Sequence, residues 1–138
     1  MIDAYSDRGQ DKLGEFLSNP DVAPLVRLEA YFDNRIKAFR ASKYARGCLL
    51  GNFSAEAADH SARIRKHLAK HFAAWSSQFE KCISEAQEQR AISKQFPAAS
   101  LANFIFNSWE GALLRMRVEK SDEPLIEFKK IIFDKLLA

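Results

Sequence analysis

Apolar residues recur at three- and four-residue steps over most of this chain, the spacing that gathers side chains on one face of an α-helix. From Pro24 onward, Leu25, Leu28, Phe32, Ile36 and Phe39 form one such stripe. The longest pattern runs through Ile64, Leu68, Phe72, Trp75, Phe79, Cys82, Ile83 and Ala86, with Ser61 placed to cap its start. Polar residues from Gln87 to Gln95 end it. Pro97 then opens a helix in which Leu101, Phe104, Ile105, Phe106, Trp109, Ala112, Leu113 and Met116 cover well over half of the circumference. A helix this apolar must be covered on two sides. Ser121-Asp122-Glu123-Pro124 is a helical entry for a last segment, with Leu125, Phe128, Ile132 and Leu136 on one side and Ile131 and Phe133 nearby. A first helix is predicted from about Asp3 to Ser18, stopped by Asn19-Pro20-Asp21. Between the second and the long helix, Gly47-Cys48-Leu49-Leu50-Gly51-Asn52-Phe53 suggests a short buried helix held between glycines.

Composition agrees with this all-α reading of about six helices. There is no threonine and only three valines, against 20 alanines and 13 leucines, a mixture that favours helix over sheet. The length of 138 residues suits one domain spanning 1–138. The longest uncharged run, Gln95 to Trp109, is shorter than the roughly 20 apolar residues a bilayer span needs, so no membrane segment is expected. The charged N-terminus lacks an apolar signal core, which makes the cytoplasm the default location. Cys48 and Cys82 are accordingly read as thiols. A net charge of +3 names no anionic partner by itself. Arg35, Lys37, Arg40, Lys43 and Arg46 form an acid-free run, expected to be a solvated face rather than a nucleic-acid contact.

The last two helices carry more apolar surface than one core stripe requires, and large apolar faces left on a single copy tend to be association surfaces. A homodimer paired through these two helices, as an intermolecular four-helix bundle, is the expectation, with Phe104, Gly111, Leu125, Phe128 and Ile132 at the interface. Gly111 sits in an apolar helix at a cost of about 1 kcal/mol relative to alanine, which fits a close approach of two helices. A crowded core within one subunit is the alternative.

Three short stretches carry a resemblance: Ala45-Arg46-Gly47-Cys48-Leu49-Leu50-Gly51-Asn52 with Glu56, then Gly111-Ala112-Leu113-Leu114 with Arg117 and Glu119, then Glu123-Pro124-Leu125. In this order, inside an all-helical frame, they resemble the C-terminal regulatory domain of bacterial TetR-family transcriptional repressors, in the branch with a Gly-Cys-Leu motif. The resemblance implies effector sensing and dimerisation on behalf of an N-terminal helix-turn-helix that contacts operator DNA. Met1-Ile2-Asp3-Ala4-Tyr5 looks like the start of the family's first regulatory helix. The DNA-binding domain is therefore expected to be absent from this chain, which is either an excised fragment, the favoured reading, or a naturally headless relative, and no specific operator binding of its own is expected.

Candidate chemistry follows from both sources. Phe39, Leu49, Phe53, Phe72, Trp75, Phe106 and Trp109 are bulky groups that leave gaps unless smaller side chains fill them, and ligand cavities are typically apolar and aromatic. An ordinary aromatic core uses the same rings; the resemblance places an inducer pocket among these helices. Asn103, Asn107, Glu110 and Arg117 form a narrow polar stripe that is either solvated or turned inward. In the second case Glu110 and Arg117 would fix an effector's polar end, and Arg117 suits an anionic or carbonyl-bearing one. Cys48, at the family's Gly-Cys position, is either a buried structural thiol or a redox- and electrophile-sensing one. His67 and His71 stand four residues apart, yet with no evident third ligand they read as two surface histidines. No metal, no cofactor and no enzymatic activity are expected. The predicted function is the sensing of a small hydrophobic or electrophilic molecule; a helical dimerisation module with a filled core is the rival.

Overall fold

A computed structural model describes residues 2–45 and 61–138, with side chains described from Asp7 onward in the first of these stretches. The regular structure of the described residues is helical throughout: α1 (Ile2–Leu17), α2 (Pro24–Ala41), α3 (Ala62–Glu88), α4 (Ala98–Glu119) and α5 (Glu123–Ile131). The short helix expected between Gly47 and Phe53 lies outside the described residues, and Cys48, Leu49 and Phe53 with it. Helix α3 is the spine, packed against α4, α2 and α1, while α5 lies along α4 and touches α2.

The punctuation has identifiable causes. Ser61 caps α3, its hydroxyl accepting the Ile64 backbone N–H at 3.2 Å. Proline stands in the first turn of α2 and of α5, where its missing N–H costs no helical bond. Pro97 is the N-cap of α4, and Lys120 ends that helix in the left-handed conformation at φ 53°. Gln87 does not end α3 as a solvated residue. It is buried, and its side-chain amide donates to the carbonyls of Ser93 (3.2 Å) and Phe96 (2.8 Å), fastening the loop into α4.

The core is an aromatic cluster around Phe32, which stacks on Phe79 and meets Trp109, Phe128 and Tyr31 at centroid distances of 4.8 to 5.7 Å. Leu13, Leu28, Ile83, Ile105, Met116 and Leu125 close around it. Beneath this core Arg27 is buried at 4% exposure. Its guanidinium donates to the carbonyls of Val22 and Leu17 and forms a two-pronged pair with Glu85, at 2.9 and 2.8 Å. One side chain thus ties the end of α1, the turn after it and α3 together. The Arg40–Asp122 pair and Lys129, which reaches Asp33 at 2.5 Å and Glu29 at 3.4 Å, fix α2 to the α5 end of the fold.

The chain end departs from the predicted period. Residues Ile132–Leu136 form a wide π-helical turn, with the Leu137 N–H bonded to the Ile132 carbonyl at 2.8 Å. This i to i+5 geometry carries Leu137, rather than Leu136, into the core, where it is 2% exposed.

Candidate ligand-binding cavity

A cavity of about 420 Å³ lies among α1, α2, α3 and α4. Such a volume falls in the range of small-molecule sites. Four rings form its apolar walls: Tyr31 and Phe39 from α2, Trp75 from α3 and Trp109 from α4, with Leu113 one turn beyond. Both tryptophans of the chain therefore line one space. Helix α1 contributes Arg8, Gly9 and Lys12, α2 adds Arg35, and α4 adds Glu110.

Helical spacing accounts for this convergence. Tyr31, Arg35 and Phe39 are four residues apart on α2, and Trp109 and Leu113 are four apart on α4, so each helix turns one face to the cavity. The approach of α1 depends on Gly9, because any side chain there would collide with the Trp75 indole. The Arg35 guanidinium lies over the Phe39 ring, 5.9 Å from its centroid. Its Nε is buried and has no hydrogen-bond partner among the described residues. Lys12 stands 5.8 Å above the Phe16 ring and 3.9 Å from Glu15.

Of the residues expected to meet an effector, Phe39, Trp75, Trp109 and Glu110 line the cavity. Phe106 and Phe72 stand behind it: Phe106 packs on Trp75 at 6.5 Å and on Phe72 at 5.7 Å, so these two support the wall. Arg117 does not take part. It is exposed, as are Asn103 and Asn107, so Glu110 alone of that polar stripe reaches the cavity. The acid-free basic run is not a uniformly solvated face either, because Arg35 is half-buried in the cavity wall and Arg40 is paired with Asp122. Arg8, Gly9, Lys12, Tyr31, Arg35 and Leu113 were not expected at the site; the signals for Arg35 and Tyr31 were their four-residue steps from Phe39.

A second depression, of about 310 Å³, runs between α4 and α5 and is lined by Phe104, Ser108, Gly111, Ala112, Arg115, Pro124, Phe128 and Ile132 among others. Nothing lies within 4 Å of where a Gly111 side chain would be. Leu125, assigned above to an intersubunit surface, is instead wholly buried in the subunit's own core, and Phe128 and Ile132 are buried at the floor of this groove. Of the apolar residues assigned to that surface Phe104 stays outside (55% exposed), joined on α4 and α5 by Leu114 (57%), Val118 (76%), Ile126 (45%) and Ile131 (58%).

Cys82 is buried, its thiol donating to the Pro24 carbonyl at 3.1 Å. Burial pushes that thiol up to about 11, against the pull of nearby Arg27. His67 is exposed, but His71 is buried, with ring centroids 5.1 Å apart, which corrects the reading of both as surface groups. No cluster of metal-ligating side chains is found among the described residues. No described helix is long and apolar enough to cross a membrane.

The arrangement is that of the C-terminal domain of TetR-type transcription regulators. Superposition on the crystal structure of a regulatory protein TetR from Rhodobacter sphaeroides gives a TM-score of 0.88 over 94% of this chain and 68% of that one, at 27% identity. The reduced form of Escherichia coli NemR shares the fold at 0.81 over 95% of this chain and 68% of that one, with 20% identity. Residues 24–132 match the model of the tetracyclin repressor-like, C-terminal domain family, and the chain belongs to that family. Relatives include the HTH-type transcriptional repressor DhaR of Mycobacterium sp. (strain GP1), 38% identical over 128 residues, and the transcriptional regulator AcuR of Cereibacter sphaeroides, 27% identical over 130 residues. These alignments take in 93% and 94% of this chain but 63% and 59% of the two relatives, so the chain spans about six tenths of their length.

Proposed function

We propose that this chain is the effector-sensing and dimerisation domain of a TetR-family transcriptional repressor, and that the cavity among α1, α2, α3 and α4 receives a small, largely hydrophobic molecule. The observation that carries this reading is the cavity itself, walled by Tyr31, Phe39, Trp75 and Trp109 and closed on one side by α1. A ligand there touches the first helix directly. It shifts the domain between two arrangements only if it binds them with different affinity, and α1 is the element whose position that difference controls. In a complete regulator the change passes to a helix-turn-helix; operator DNA is a partner of that domain and not of the residues described here. An electrophilic effector is the variant of this reading in which Cys48 takes part.

The same reading includes a homodimer. Phe104, Leu114, Val118 and Ile131 leave an apolar face on α4 and α5, with the Gly111 groove beside it deep enough to take a side chain from a second copy. Two such faces together form the four-helix arrangement.

The test is thermal melting of the chain over a concentration series of small aromatic and quinone-like compounds. A ligand at 100 times its Kd stabilises by about 2.7 kcal/mol, which raises Tm by several degrees. Melting points that stay fixed at every concentration, across the whole panel, identify a filled helical dimerisation module instead.

A further inference from the structure

We infer that the cavity is built for a monocarboxylate carried on a flat apolar body, with Arg35 as its anchor; this rests on reading the cavity as the effector site. Among the described lining residues there are three cations, Arg8, Lys12 and Arg35, and one carboxylate, Glu110, and the rest of the wall is mainly the rings of Tyr31, Phe39, Trp75 and Trp109. Among the described residues neither Arg8 nor Arg35 forms an ion pair, whereas Arg27, Arg40, Arg115 and Lys129 all do. Arg35 is also fixed in place, its guanidinium lying over the Phe39 ring, and its buried Nε has no acceptor. A guanidinium presents its N–H groups as a planar fork matched to the two oxygens of a carboxylate. An anion at this point supplies the acceptor that the protein withholds, and the rings of Tyr31, Phe39, Trp75 and Trp109 take the apolar remainder.

Other ligand charges fit less well. A cation meets three like charges, and a neutral molecule leaves Arg35 Nε without a charged acceptor. A phosphate ester or other dianion brings its second charge towards Glu110, in walls that offer rings where it needs donors. Two of the three cations ride on α1 while Arg35 belongs to α2. A bound carboxylate therefore ties α1 to α2, and an empty cavity leaves like charges facing each other across that boundary. The charge of the effector, and not only its bulk, sets the position of the first helix.

Trp75 and Trp109 are the chain's two tryptophans and both line the cavity, so tryptophan emission reports its occupancy directly. The experiment titrates the chain with benzoate, benzamide and benzylamine at constant ionic strength, following emission and, in parallel, calorimetry. Benzoate is expected to saturate, at least tenfold tighter than benzamide, with benzylamine weakest. Arg35→Met should weaken benzoate at least tenfold and benzamide by less than threefold, while Glu110→Gln tightens benzoate. Should Arg35→Met fail to fold, Arg35→Lys keeps the charge but removes Nε and still lowers the benzoate preference. Benzamide binding as well as benzoate, or Arg35→Met weakening both alike, overturns the carboxylate assignment and leaves the effector-site reading standing. Titrations in which no compound alters emission or heat overturn both.

Discussion

Gly9 of α1 lies against the indole of Trp75, so close that a methyl group added at Gly9 would come within 2.6 Å of Cη2. The helix that would carry a signal and the wall of the candidate site are thus in direct contact, with no side chain between them. Two effects compete when this glycine is replaced. Alanine gains about 1 kcal/mol of helix propensity, but forcing a group into a filled contact costs about 1–3 kcal/mol. Because the obstacle is a bulky ring set among Phe106 and the cavity lining, the steric cost should win. Gly9→Ala is expected to lower Tm and shift tryptophan emission. Gly14→Ala is the control: its new methyl meets only Gln78 Oε1, at 3.7 Å, and the variant should gain about 0.5–1 kcal/mol. Thermal melts followed by circular dichroism separate the two; a Gly9→Ala protein as stable as Gly14→Ala would mean that α1 does not seat on Trp75.

The apolar face of α4 and α5 predicts a concentration-dependent homodimer. Val118→Glu and Ile131→Glu place charge on its most exposed positions and should yield folded monomers by sedimentation velocity. Gly111→Ala should act in opposite directions on the two equilibria: about 1 kcal/mol more stable as an isolated subunit, where nothing occupies the space, yet weaker as a dimer. An unsubstituted chain that sediments as a monomer at all concentrations removes this interface.

Acid sensitivity should trace in part to Glu85. The Arg27 guanidinium bonded to it holds its carboxyl below the ordinary value of 4.5. A group with a depressed folded pKa stabilises fully above its unfolded value, and that contribution disappears as pH falls through the folded one. The stability gap between the unsubstituted protein and Glu85→Gln should therefore be widest near neutral pH and close below about pH 4. Arg27→Met should destabilise at every pH, since it also removes the donors to Leu17 and Val22. Urea melts at a series of pH values check both; a gap that stays constant down to pH 3 would rule out the ionised pair as its source.

Cys82 should be a slow thiol. Raised to about 11 from an ordinary 9.0, it has about a hundredfold less thiolate at neutral pH than an unperturbed cysteine, and it is buried besides. Mass-resolved alkylation is expected to modify Cys48 first, with Cys82 reacting only as the chain unfolds. Equal, slow labelling of both positions would remove Cys48 as a sensing thiol.

The number of helices in the described segments, their order and most of their inward faces were legible from periodicity, because burial on a helix repeats every three to four residues. Ser61 as a cap and the prolines as entries were legible for the same local reason, since capping depends on neighbours within one turn. Three things were not. The π-helical turn at Ile132 breaks the regular period and exchanges Leu136 for Leu137 in the core. Leu125, Phe128 and Ile132 were legible as one stripe apart from Ile131, but periodicity does not say whether a stripe faces the subunit's own core or a second copy, and only the way α5 lies on α4 turns it inward. The cavity required helices distant in sequence to converge, so Arg35, read alone as one more solvated base, lines it together with residues of α1, α3 and α4. Local hydrogen bonding and hydrophobic spacing suffice to draw the helices; which charge ends in water and which in a hollow depends on packing between residues that the chain order keeps far apart.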